Sequence, residues 1–149
     1  MGIKEEIKQE KFTSNSQMAI VNLIYTSNWL RDHQLKILSE FDILIQHYNV
    51  IRIVKGKHPK IVYPGQIKEV ILDKGRDLTR LIDKLVNMNY LIRNICENNR
   101  RMVEISITPK GLKVVDAIEK KLSIELKNYF KLSEKDALEL SNLLDKLRG

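Results

Sequence analysis

The amino-acid sequence predicts a mostly helical α+β fold, and three observations carry the prediction. Apolar residues recur at helical spacing along most of the chain. Between Leu91 and Ile107 the period drops to two, the mark of half-buried strands. Charge is unevenly spread: residues 52–113 hold 14 Lys or Arg against 6 Asp or Glu, whereas the flanks are close to neutral within an overall net charge of +7.

The first fifteen or so residues are polar and are expected to fray. From Ser16 to Leu30 a helix is expected. Val21, Tyr25 and Trp29 form one stripe, and Ile20, Leu23 and Ile24 a neighbouring one. A helix apolar around most of its girth needs cover from more than one side, and a second subunit would supply it. Leu35 to Phe41 reads as a short separate helix. Asp42 then suits the N-cap of a helix carrying Leu44, Tyr48 and Ile51, which ends at Lys55-Gly56-Lys57-His58-Pro59. Lys60 to Tyr63 can form a short strand.

Pro64-Gly65 opens the next helix, with Ile67, Val70 and Ile71 as its expected buried face. Leu72 to Gly75 turns the chain, and a longer helix is expected from about Arg76 to Asn89. Gly75 would be its N-cap, with Asp77 in the first turn favouring the helix dipole. Leu78, Leu81, Ile82 and Leu85 follow i, i+3, i+4, i+7 spacing, and the opposite face carries Arg76, Thr79, Arg80, Asp83, Lys84 and Asn87. Val103, Ile105 and Ile107 alternate with Glu104 and Ser106, and Leu91 to Cys96 is the expected antiparallel partner. The polar loop Glu97-Asn98-Asn99-Arg100-Arg101 lies between them. Thr108-Pro109 pairs an N-cap with a proline at the first helical position. Leu112, Val115, Ile118, Leu122, Leu126 and Tyr129 form the stripe of that helix. Ser133 caps a last one with Leu140, Leu143, Leu144 and Leu147 on one face.

Two short helices followed by a hairpin make a helix-turn-helix with a wing. Inside a basic segment, the polar face of the second helix offers donors to phosphates and base edges in a major groove, and arginines at a wing suit a narrow minor groove. The expected DNA-binding residues are Lys74, Arg76, Asp77, Thr79, Arg80, Lys84, Arg100 and Arg101.

At this point the sequence resembles the MarR family of regulators. Gln46-His47-Tyr48-Asn49-Val50-Ile51-Arg52-Ile53-Val54 looks like the helix leading into their helix-turn-helix, and Asp77-Leu78-Thr79-Arg80-Leu81-Ile82-Asp83-Lys84-Leu85 like their recognition helix. Asn99-Arg100-Arg101-Met102-Val103 and Ile107-Thr108-Pro109-Lys110-Gly111 look like their wing and the start of the next helix. The resemblance implies a single domain over residues 1–149. Dimerisation helices at about 14–34 and 109–149 would flank a winged lobe at about 35–108. It further implies a homodimer on an inverted-repeat operator in double-stranded DNA, a repressor released by a small aromatic effector, and a ligand pocket with Tyr25, Trp29 and His33 as candidates; a cytoplasmic location is expected from the lack of a membrane span or secretory stretch in the sequence. By the same analogy Arg80 touches DNA in the major groove and Arg101 enters the minor groove. Two positions depart from the family pattern: Asn99 stands where Asp usually precedes the wing arginines, and Gly75-Arg76 replaces a polar cap.

Other classes find little support. No nucleophile, base and orienting group cluster, and no phosphate-cradling glycine loop occurs, so no enzyme and no cofactor is expected. Cys96 is the one cysteine, and His33, His47 and His58 are widely spaced, so neither a metal site nor an intrachain disulfide is expected. No apolar run approaches the roughly 18 residues of a membrane span. Near the N-terminus there is no long apolar stretch of a secretory signal, and Glu6 occupies the place where a myristoylation motif has Ser or Thr. The competing non-enzymatic reading is a winged-helix protein-interaction module without DNA binding.

Overall fold

The computed structural model describes residues 2–96 and 99–149, apart from the side chains of Arg100 and Arg101. Its elements are α1 (Ile3–Glu6), α2 (Asn15–Leu38), α3 (Ile45–Lys57), α4 (Pro64–Val70), α5 (Leu78–Asn87), β1 (Leu91–Cys96), β2 (Asn99–Ile107), α6 (Pro109–Tyr129) and α7 (Glu134–Arg148). The expected mostly helical α+β architecture is present, with one antiparallel hairpin of β1 and β2.

Helix α2 corrects two expectations. It begins at a Ser14 cap, whose side chain accepts from the Gln17 amide, and runs unbroken to Leu38. Nothing between Leu30 and Leu38 is Gly or Pro, so nothing stops it there. The short helix expected at Leu35 to Phe41 is therefore the last turn of α2 followed by a 3₁₀ turn, Ser39–Phe41. The N-terminal residues are not all frayed either: α1 folds back so that the Tyr25 hydroxyl donates to Glu6 Oε2 at 2.9 Å.

Asp42 does not cap α3. Its φ of 54° places it in the left-handed region, whereas an N-cap has extended backbone. Leu44 takes the cap position with φ −95° and ψ 167°, and its amide donates to Nδ1 of His47 at 3.0 Å. The left-handed Asp42 turns the chain so that Ile43 enters the core. His47 is itself buried, and the loss of hydration holds its imidazole below the ordinary value; the charge of Lys84 adds to this and Asp42 opposes it.

The core joins α3, α4, α5, the hairpin and α6 through Val50, Ile51, Val54, Ile67, Leu81, Ile82, Leu85, Leu91, Ile105, Val115 and Ile118. Val70, expected to face inward, is 60% exposed, because α4 ends there and Ile67 and Ile71 do the sealing. The strand expected at Lys60 to Tyr63 contracts to a bridge: Val62 exchanges both backbone hydrogen bonds with Ile105 at 2.8 Å. In the hairpin Leu91 faces Ile107 and Ile95 faces Val103, with an irregularity between Ile95 and Cys96. Glu97 and Asn98 lie outside the described residues. Strand β2 starts at Asn99, so the backbone of Arg100 and Arg101 belongs to the strand rather than to the polar loop expected across 97–101.

The hairpin is welded to α6 at one point. Thr108 caps α6, its Oγ1 accepting from the Gly111 amide at 2.9 Å and donating to the Asn89 carbonyl at 2.7 Å. Gly111 packs directly on the backbone of Tyr90: a Cβ there would lie 2.2 Å from the Tyr90 carbonyl oxygen. Gly56, within α3, has no atom within 4 Å of the same position.

These contacts set opposite outcomes for two glycines. Gly111→Ala should destabilise the fold by about 1–3 kcal/mol or more, since backbone must move, while Gly56→Ala should stabilise it by about 0.5–1 kcal/mol by removing helix-interior glycine entropy. Urea unfolding of both variants checks the pair. His47, with its folded value lowered, binds a proton more readily when unfolded. Its contribution is therefore fully present above about pH 6.5 and is lost as pH falls below it. Wild type should lose more stability between pH 7 and pH 5 than His47→Gln, and equal losses would show that His47 does not contribute.

Candidate nucleic-acid interface

Helix α5 is an amphipathic cylinder pinned by its apolar side. Leu81, Ile82 and Leu85 are buried, Leu78 is half-buried, and Thr79, Arg80 and Asn87 are exposed on the opposite face. Asp77, expected within the first turn, is in fact the N-cap. Its Oδ1 accepts from the amides of Thr79 at 3.1 Å and Arg80 at 3.3 Å, which Gly75, lacking a side-chain acceptor, cannot do. The polar cap that Gly75-Arg76 lacks is thus supplied two residues later.

Four of the described cations around this face each sit beside a carboxylate. Arg76 Nε lies 3.1 Å from Asp73 Oδ2, Arg80 Nε 3.3 Å from Asp77 Oδ2, and Lys84 Nζ 3.6 Å from Asp42 Oδ2. Arg93, on β1, pairs with Asp83 of α5. The Arg80 side chain is 87% exposed. Exposed pairs of this kind contribute roughly 0–1 kcal/mol each, and each cation keeps further N–H donors for a phosphate or base edge. Lys74 lies exposed in the turn before α5.

A cleft of about 400 Å³ separates α4 and the start of α5 from the hairpin. Lys68, Arg76, Asp77, Thr79 and Arg93 line it. It unites Arg76, Asp77 and Thr79, expected from sequence, with two cations that sequence reasoning missed. Lys68 carries no local signal beyond its charge. Arg93 shares a strand face with buried Leu91, which hides its role: alternation assigns it to the inner face, but at that register the face opens on Asp83 and the cleft. Arg80, Lys74 and Lys84 lie outside the cleft lining. Arg100 and Arg101 are placed in β2 by their backbone, and their side chains lie outside the described residues.

The suggested ligand residues divide. Trp29 and His33 of α2 stack with Tyr129 of α6: Trp29 meets His33 edge-on at 4.6 Å and Tyr129 edge-on at 5.1 Å, and His33 lies 4.5 Å from Tyr129. His33 Nδ1 is 3.1 Å from Glu125 Oε1, a contact that lowers the Glu125 carboxyl. Tyr25 instead lines a recess of about 320 Å³ with Ile3, Glu6, Asn22, Thr26 and Trp29. Its phenol is raised first by the hydrogen bond to Glu6. His33 does not line that recess; Trp29 touches both groups, lining the recess beside Tyr25 and meeting His33 edge-on.

No protein-family model matches the sequence. The HTH-type transcriptional regulator SarZ of Staphylococcus aureus (strain USA300) is 30% identical over 107 residues, covering 72% of this chain and 70% of SarZ. Among solved structures, a MarR transcription factor from Planctomyces limnophilus superposes with a TM-score of 0.71 at 28% identity, over 93% of this chain and 98% of that one. A mutant MarR from E. coli, complexed with operator DNA, superposes with a TM-score of 0.72 at 23% identity, over 92% and 99% of the two chains, a likeness of fold.

Proposed function

The chain belongs to the MarR family of transcriptional regulators, and on that premise we propose that it binds double-stranded operator DNA as a homodimer, with α5 as its recognition helix. The observation that carries the reading is the exposed polar face of α5, presenting Thr79, Arg80 and Asn87 outward on a helix whose other face is locked in the core. The operator-bound E. coli MarR, which shares the fold, supports it. In this reading Arg80 and Thr79 meet base edges, while Lys74, Arg76, Lys68, Lys84 and Arg93 face phosphates. Asp77 acts on DNA through the helix cap and Arg80 rather than by contact. Arg100 and Arg101 are assigned to the minor groove on the sequence pattern. A protein-interaction module would call for a neutral or acidic segment where residues 52–113 are strongly basic.

The dimer is read from apolar surface that one chain leaves uncovered. Leu140, Leu143 and Leu147 of α7 and Ile20 and Ile24 of α2 are all exposed; Leu143 is 57% exposed. Burying the half of each that one chain leaves exposed is worth about 1 kcal/mol apiece. A two-fold dimer through these helices presents two α5 helices to an inverted repeat. Repression follows from occupancy of the operator. Release follows if a small aromatic ligand prefers a lobe spacing that DNA does not, with the Trp29–His33–Tyr129 cluster as the candidate contact. No helix among the described residues is long and apolar enough to cross a membrane.

A duplex selected from a random pool by the wild-type chain supplies the test. Affinity should fall with salt at a slope of about −0.9 in log K per phosphate contact. Arg80→Ala should cost roughly 1–3 kcal/mol on the selected duplex and far less on a scrambled one. Arg101→Ala should weaken binding with any lost selectivity confined to flanking A·T-rich positions. A flat salt response, or wild-type affinity in Arg80→Ala, would remove the recognition-helix assignment. Separately, sedimentation should show a dimer that Leu143→Arg weakens at least about tenfold, the effect of losing one buried leucine and burying a charge in its place. A well-folded wild-type monomer at micromolar concentration would refute the dimer.

A further inference from the structure

The segment Asp73 to Arg80 builds the same device twice. Asp73 Oδ1 accepts from the Gly75 amide at 3.3 Å, and its Oδ2 takes Nε of Arg76 at 3.1 Å. Four residues on, Asp77 Oδ1 accepts from the amides of Thr79 and Arg80, and its Oδ2 lies 3.3 Å from Nε of Arg80. In both, one carboxylate oxygen is tied to backbone, so the other is a fixed anchor and not a swinging side-chain end. In both, Nε of the arginine three residues later is the nearest guanidinium atom, as a hydrogen bond at Arg76 and as an ion-pair contact at Arg80.

The choice of nitrogen matters. A guanidinium carries five N–H donors in a planar fork. Where Nε is the atom beside the carboxylate, the Nη1 and Nη2 edge of the fork is left for another partner, and the Arg80 side chain is 87% exposed. That edge is the part that engages guanine O6 and N7, or two phosphate oxygens, in a bidentate pair. The other two paired cations at the interface are held differently. Arg93 gives Nη1 to Asp83, and Lys84 has no fork to present. An exposed arginine held in this way has lost part of its rotamer freedom before DNA arrives, so less remains to be lost on binding. The carboxylate also repels the phosphates of any DNA on which the arginine finds no base partner, and so penalises the wrong sequence.

We propose, resting on the DNA-binding reading above, that Asp73 and Asp77 are positioning residues that hold Arg76 and Arg80 by Nε and leave their Nη edges for DNA, and that Asp77 thereby sets sequence preference through Arg80. Asp77→Asn is the discriminating variant. Its side-chain oxygen still accepts from the Thr79 and Arg80 amides, so the cap survives, while the charge that anchors Arg80 is gone. The preference is the ratio of affinities for the selected duplex and a scrambled one, measured in the full chain at fixed salt.

In Asp77→Asn this ratio should fall about three- to fivefold, as much as one exposed ion pair can supply, and affinity for the scrambled duplex should rise. The melting temperature and helical circular dichroism should stay at wild-type values. In an Arg80→Ala background the same substitution should change the ratio by less than about twofold, the coupling expected when one residue acts through the other. If Asp77→Asn melts early, Asp77→Ser, which keeps a good N-cap acceptor and likewise lacks the carboxylate, asks the same question of Arg80. An Asp77→Asn ratio within about twofold of wild type beside a collapsed Arg80→Ala ratio, or effects that simply multiply in the double variant, overturns the proposal and leaves DNA binding intact. A wild-type chain that selects no duplex overturns both.

Discussion

Leu81, Ile82 and Leu85 lie on one side of α5 and are buried with Val50 and Val54 of α3 and with Leu91 and Ile105 of the hairpin. Each contributes on the order of 1.5–3 kcal/mol of burial, far more than any exposed ion pair around the helix. That apolar contact decides which way α5 is rotated. Once it is set, Thr79, Arg80 and Asn87 have no orientation open to them but outward. The polar face is a consequence of the packing, and the chemistry available at the interface depends on the core behind it.

Secondary contacts tie this lobe to the C-terminal helices. Lys55, near the end of α3, donates to Asp116 at 2.7 Å and Glu119 at 2.6 Å on α6, and these two hydrogen bonds raise its ammonium above the ordinary value. Lys121 of α6 pairs with Glu40 in the turn after α2. At the other end of the lobe, Gly111 and Thr108 fix α6 to the backbone at Asn89 and Tyr90. The position of α5 relative to α6 and α2 is therefore held by the shared core, through Val115, Ile118 and Leu38, by backbone contact at one place and by exposed charge at others. The charged contacts are the ones that salt weakens.

Periodicity made most of the helices and the hairpin legible in the sequence, because burial on one face imposes 3.6-residue or two-residue spacing whatever the surroundings. What it misjudged were ends and exceptions. Asp42 and Asp77 are both carboxylates before an apolar run, and both are plausible caps by composition; only the backbone shows that Asp77 is extended and capping while Asp42 is left-handed. The join of α2 to the expected next helix was equally hidden, since a continuous helix and two abutting ones share the same apolar pattern.

Local sequence by itself determined which residues are apolar and at what period, hence the helix-turn-helix, the wing, the basic segment and the outward set of Thr79, Arg80 and Asn87. Tertiary structure decided what meets what. It brought Arg93 to Asp83, Arg93 and Lys68 to one cleft with Arg76, and Lys84 to Asp42. It brought Tyr129 of α6 onto Trp29 and His33 of α2. The physical reason is range. A helix or strand period is written in neighbours a few residues apart, whereas a pair between a helix and a strand depends on how two buried faces rotate against each other, and that is set by the whole core at once.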